Sequence, residues 1–201
     1  VTFIGTVSPA GGNLKEPVTE STKKAARCFY ALSQNRADSK RYPAIDTLDS
    51  YSKYLEYPEF IYYAKEKLDE NWVELVNEAR NILVRGKETE EQINILGDDS
   101  VPIDYHVTLW KSEFVDFVIL QQDAFDKIDA TTSLERQEFM LKKVIGVTRS
   151  EFRFENFEEV AIYFKRLINA FRQMNYTIFK SEEFKKAEEE ANMVLEERLI
   201  K

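Results

Sequence analysis

The side chains that most often carry catalysis are scarce in this chain: His106 is the only histidine and Cys28 the only cysteine among 201 residues. A zinc-type centre needs three or four nitrogen and sulfur donors, so these two residues are too few to build one. A cysteine nucleophile needs an activating base beside it, and the sequence places none next to Cys28, which reads as a small apolar residue packed with Phe29 and Leu32. His106 reads as a helix-surface or packing histidine. The carboxylate pairs Asp98-Asp99 and Glu182-Glu183 have the chemistry for general acid-base work, but acidic pairs on helices and their caps read first as solvated faces. The loop GxxxxGKS/T, which wraps a triphosphate in backbone amides, does not occur, and Gly11-Gly12 is a turn signal only.

Composition bounds what kind of scaffold holds these groups. With 43% hydrophobic, 13% aromatic and 32% charged residues, the chain is expected to fold around a real core rather than remain disordered. Acidic residues outnumber basic ones 36 to 28, giving a net charge of -8, and no basic run interleaves with aromatics, which argues against nucleic acid as a partner. No apolar stretch approaches the roughly 18 residues of a membrane span, and the start lacks the regions of a secretory signal. A soluble chain in a reducing, cytoplasmic setting is expected.

The run VTFIGTV at residues 1–7 is rich in β-branched side chains and leads into SPAGG, which predicts a buried strand entering a loop. No later segment reads as a second strand, so this one needs a sheet from elsewhere. The chain also opens without methionine, and a start inside a longer protein is expected. A helix is predicted from Pro17, with Glu16 and Glu20 at its positive end, continuing through residues 25–32 and ending near Gln34 or Asn35. Beyond residue 51 apolar side chains recur every three or four positions. Trp72, Leu75, Val76, Ala79, Ile82 and Leu83 form one stripe, and Ile103, Val107, Trp110, Phe114 and Phe117 a second. A third runs from Phe157 through Phe164 to Phe171, and a fourth from Phe184 to Leu195 along a strongly charged helix. Thr132 with Glu135, and Thr148 with Glu151, have capping-box spacing, while Gly86, Gly97 and Gly146 read as punctuation between helices. The fold class is therefore mainly α: a helical bundle over residues 51–201, preceded over residues 1–50 by a strand and helix that belong to a mixed domain.

Residues 5–19, GTVSPAGGNLKEPVT, closely resemble a stretch of the catalytic A (alpha) subunits of V/A-type rotary ATPases and ATP synthases. The resemblance continues through CFYAL at 28–32, RYPAID at 41–46, SYS at 50–52, ILGDDSVP at 95–102 and LQQDAFDKID at 120–129. From Gly146 onward it extends to helical character only. It implies that residues 1–50 close an α/β nucleotide-binding domain and that 51–201 form the C-terminal helical domain. It further implies a parent enzyme that hydrolyses or synthesises ATP with Mg2+ between A subunits and the B subunits alternating with them in a ring. Rotation of a central stalk would couple this to H+ or Na+ transport, the complex being peripheral on the cytoplasmic side of a membrane.

The P-loop, the catalytic glutamate and the Mg2+ site lie upstream in that family, so this chain is expected not to hydrolyse ATP alone, and no catalytic or metal-binding residue is assigned. What the resemblance places here is one wall of the adenine pocket: aromatic Tyr42 and Phe125 against the base, with Pro43 beside Tyr42 and Ile128 completing the wall. A purine is flat and apolar on its faces, so stacking on such rings is physically apt. Asn13, Leu14 and Thr131 depart from the family, which usually has Asp, Phe or Met, and often another aromatic there. By likeness to the acidic helix-turn-helix of the related F-type beta subunit, Asp98, Asp99 and Asp104 are implied to contact the central stalk. The rival reading is a free-standing helical interaction module without nucleotide; it accounts for the helices but not for the first strand, the SPAGG loop or the ordered motifs.

Overall fold

The computed structural model of the chain describes residues 1–200. Helix α1 (Pro17–Ala25) starts as expected, with Pro17 in its first turn and Glu16 accepting a hydrogen bond from Thr19 Oγ1 at 3.0 Å. It stops at Ala25, well short of the predicted end. Ala26 adopts an extended backbone, and the next residues form β1 (Cys28–Leu32), paired antiparallel with β2 (Ile45–Ser52). The apolar spacing of CFYAL suits either helix or strand. Cross-strand packing decides for the strand: Phe29 lies opposite Tyr51, with ring centroids 6.0 Å apart. The register slips between Phe29 and Ala31, and there Asp46 Oδ1 accepts from the N–H groups of Leu48 and Asp49, each at 2.9 Å. Between the strands sits α2 (Gln34–Asp38), capped by Ser33, whose hydroxyl accepts from Arg36 N at 3.3 Å.

The strand predicted at residues 1–7 does not form. Phe3 and Ile4 are 92% and 94% exposed, and the sheet contains β1 and β2 alone. Extended backbone without a ladder partner gains no cross-strand hydrogen bonds, so sequence propensity alone does not make it a strand.

Six helices build the bundle: α3 (Pro58–Lys67), α4 (Trp72–Leu96), α5 (Ile103–Val115), α6 (Leu134–Arg149), α7 (Phe157–Asn175) and α8 (Glu182–Glu196). All four predicted stripes fall on helices. Phe114 of α5 and Phe164 and Phe171 of α7 are fully buried, and Phe114 meets Phe171 edge-on at 4.9 Å between centroids. Helices α4 and α5 form a tight hairpin. Gly86 does not punctuate it but lies inside α4, where a Cβ would sit 2.1 Å from the Cβ of Ser112 on α5. Gly146 is likewise internal to α6, and only Gly97, at φ 88°, ends a helix.

The capping assignments also shift. Helix α6 is capped by Ser133, one residue after Thr132, through a hydrogen bond from Arg136 N. Thr148 caps nothing: it lies in the last turn of α6, its hydroxyl donating to the Ile145 carbonyl at 2.8 Å. One feature has no counterpart in the sequence pattern: α5 runs directly into a π-helical turn, Asp116–Leu120. Such turns recur at functional sites because they redirect side chains out of the α-helical register.

Candidate functional site

After the π turn, residues 121–132 form a loop braced by its own aspartates. Asp123 Oδ1 accepts from Phe125 N at 2.9 Å, and Asp126 Oδ1 accepts from the N–H groups of Ile128 and Asp129, both at 2.8 Å. Asp129 Oδ2 closes the loop by accepting from Asp123 N at 2.6 Å, while Gln122 Nε2 donates to the Asp129 carbonyl at 2.5 Å. The outcome is an ordered loop that presents an aromatic ring to solvent: Phe125 is 99% exposed. Ile128, three residues on, is half-buried.

Burial pushes the Asp129 carboxyl above the usual carboxylate range, partly offset by the hydrogen bond from Asp123 N and by the charge of Arg136. A raised folded pKa means that the folded state binds this proton more tightly. The contribution to stability is fully present below the ordinary carboxylate pKa of about 3.9 and is lost as pH rises through the folded value. Asp129→Asn retains an acceptor for Asp123 N and removes that titration. The variant is therefore expected to lose less thermal stability than the parent chain between about pH 4 and pH 7, measured by unfolding at both values.

Tyr42 and Pro43 are both exposed, and the Tyr42 carbonyl accepts from Gln122 N at 2.8 Å. The backbone thus joins the Tyr42 loop to the Phe125 loop, while the rings of Tyr42 and Phe125 form no ring pair among the described residues. Of the four residues implied for the adenine wall, Tyr42, Pro43 and Phe125 are exposed and Ile128 is partly so.

Beside them lies a charge cluster that the sequence did not announce. Arg36 Nη1 donates to both oxygens of Asp116 at 2.8 and 3.0 Å, and Arg41 Nη1 donates to Asp116 Oδ2 at 2.9 Å. Arg41 also forks onto Glu113 at 3.0 and 2.7 Å and lies over the Phe117 ring, 4.6 Å from its centroid. The Asp116 side chain is only 6% exposed. Burial alone would lower the proton affinity of the Arg41 guanidinium, but Glu113 and Asp116 outweigh it and hold the pKa above its ordinary value. The buried Nε of Arg36 has no hydrogen-bond partner among the described residues. A cavity of about 410 Å3 opens beside the cluster, lined in part by Arg36, Arg41, Lys87 and Ser112. The one available signal was the charge of Asp116 inside the otherwise apolar run FVDFVIL at 114–120.

At the far end of α5, Asp98, Asp99 and Asp104 are all exposed. Gly97 and a short 3-10 turn, Asp98–Ser100, carry the first two. His106 is buried, stacked on Phe157 at 5.0 Å, with Nε2 3.1 Å from the Asp98 carbonyl oxygen, so it pins this turn to the bundle. Cys28 lies across the sheet with Sγ 3.2 Å from Ser52 Oγ. Among the described residues no group of three or more His, Cys, Asp or Glu could hold a metal ion, and no helix is long and apolar enough to cross a membrane.

Comparison with known proteins covers nearly the whole chain. Residues 62–160 match the C-terminal domain of V and A type ATP synthase, and residues 1–52 match the nucleotide-binding domain of the ATP synthase alpha/beta family. The V-type ATP synthase alpha chain of Borrelia duttonii is 39% identical over 94% of this chain, and that of Treponema denticola 38% identical over 94%. The alpha chain of Protochlamydia amoebophila is 35% identical over 98%. The chain spans 30% to 33% of the length of these relatives. In fold it is similar to the ATP synthase subunit NeqB of Nanoarcheaum equitans, with a TM-score of 0.54 and 20% identity over 70% of this chain and 33% of that one.

Proposed function

Because the chain belongs to the V/A-type ATP synthase alpha-chain family, corresponding to the end of its nucleotide-binding domain and its C-terminal helical domain, we propose that it supplies one wall of the adenine site of a rotary ATP synthase. The parent subunit hydrolyses or synthesises ATP between itself and neighbouring B subunits, peripheral on a membrane, with coupling to H+ or Na+ movement through a central stalk. The interaction-module alternative finds no support, since both segments of the chain match the family.

The observation that carries the reading is Phe125. Its ring is 99% exposed on a loop held by its own hydrogen bonds, so it is open to a flat ligand without any rearrangement of packed side chains. Adenine fits, because it is planar and gains about 1 to 3 kcal/mol from stacking on an aromatic face. Tyr42 and Pro43 border the same loop through the Gln122 hydrogen bond and offer a second apolar edge; Ile128 provides a floor. These residues bind and orient the base and exclude water from it. Tyr42, Pro43, Phe125 and Ile128 carry no charged group to hold Mg2+ or phosphate, so no step of phosphoryl transfer is assigned to them.

In the complete enzyme, Phe125→Ala is expected to weaken ADP binding about 5- to 150-fold, the equivalent of the stacking energy, as read by equilibrium titration. Unchanged affinity would remove the adenine wall. The acidic segment is assigned to the central stalk: Asp98 and Asp99 are exposed on a turn anchored by His106, and Asp104 is exposed in the first turn of α5. Reversing the charge at Asp98 and Asp99 to Lys is expected to weaken torque transmission, measured as rotation against load. Unaltered torque and stalk binding would place the contact elsewhere.

A further inference from the structure

The Tyr42 loop is held at two points, one on the first residue of the π turn and one two residues beyond its last. At one end the Arg41 guanidinium grips Asp116, the first residue of the turn, at 2.9 Å. At the other end the Tyr42 carbonyl accepts from Gln122 N, two residues past Leu120, at 2.8 Å. Arg36 adds a second hold on Asp116. Arg41 immediately precedes Tyr42, and Phe125 follows Gln122 by three positions, so the two sides of the aromatic wall are strapped to one short helical segment. That segment continues α5 without a break, and the exposed Asp104 lies in the first turn of α5.

Buried ion pairs of this kind add little net stability over an apolar replacement, and their best-attested use is to fix one arrangement among several. We propose that Asp116, gripped by Arg36 and Arg41, is a positioning residue for nucleotide binding: it sets the distance between Tyr42 and Phe125 and links that spacing to α5. The inference rests on the adenine-wall reading above. The bidentate fork of Arg41 on Glu113 fixes the guanidinium plane, so that a lysine at 41 would keep the charge and lose the geometry.

The test uses the complete enzyme and a double-mutant cycle between Asp116→Asn and Phe125→Ala, with ADP affinity as the readout and tripolyphosphate as a ligand without a base. Asp116→Asn keeps an acceptor and the side-chain shape; Arg41→Lys is the second variant should the first fail to assemble. Either is expected to weaken ADP binding about 2- to 30-fold, the range usual for residues acting through others, and to leave tripolyphosphate affinity unchanged. In the Phe125→Ala background the additional loss is expected to vanish. An undiminished loss in that background, an equal loss for tripolyphosphate, or normal ADP affinity in both variants while Phe125→Ala alone is impaired would overturn the positioning role and leave the adenine wall standing. Normal ADP affinity in Phe125→Ala alone would overturn both.

Discussion

Asp116→Ala is expected to destabilise the chain by about 3 to 5 kcal/mol, the penalty typical of removing one partner from a buried ion pair. Asp116 receives three hydrogen bonds from two guanidinium groups. Deleting it strands Arg36, whose side chain is 15% exposed and whose Nε already lacks a partner among the described residues. Arg41 would keep its fork on Glu113. Glu113→Ala, by contrast, removes a carboxylate that is 23% exposed while leaving Arg41 attached to Asp116, and a smaller loss is expected. Denaturant unfolding of both variants checks the order. Equal and small effects would mean that solvent reaches the cluster freely.

Two phenylalanines provide a sharper contrast. Phe171→Ala is expected to cost about 3 to 5 kcal/mol through lost burial and the cavity left behind. Its ring is fully buried in α7 and meets Phe114 edge-on, so Phe114 would have to leave its place in α5 to fill the gap. The same substitution at Phe125, which is 99% exposed, is expected to leave the unfolding midpoint where it was. A loss of stability at Phe125 comparable to that at Phe171 would show that its ring packs in the folded protein and is not displayed for a ligand.

The helices were legible in the sequence where the apolar stripe was long and one-faced, as in α7, whose Val160, Phe164, Leu167, Ile168 and Phe171 are all buried. Periodicity failed on short segments. Five residues of CFYAL fit a helix as well as a strand, and only the pairing with residues 45–52 decides between them. Local capping patterns failed when tertiary contacts claimed the same atoms: the Thr148 hydroxyl serves the Ile145 carbonyl inside α6. Gly86 carries a signal of close approach to α5 that is indistinguishable, in sequence, from a helix stop. As for the site, Tyr42, Pro43, Phe125 and Ile128 form no pattern of their own in the sequence, and only the family resemblance points to them. The exposure of Phe125 and the Gln122 hydrogen bond to Tyr42 became visible only in three dimensions. The Arg36, Arg41 and Asp116 cluster joins positions 75 and 80 residues apart, a separation across which no local rule operates.

If Tyr42 and Phe125 lie against the adenine base, a photoreactive group on the base reaches them. A 2-azidoadenine nucleotide bound to the complete enzyme and irradiated is expected to modify Tyr42 or a residue of the 125–128 segment, identified by peptide mapping and suppressed by excess ATP. Saturable labelling confined to peptides that contain neither would place the base against other residues.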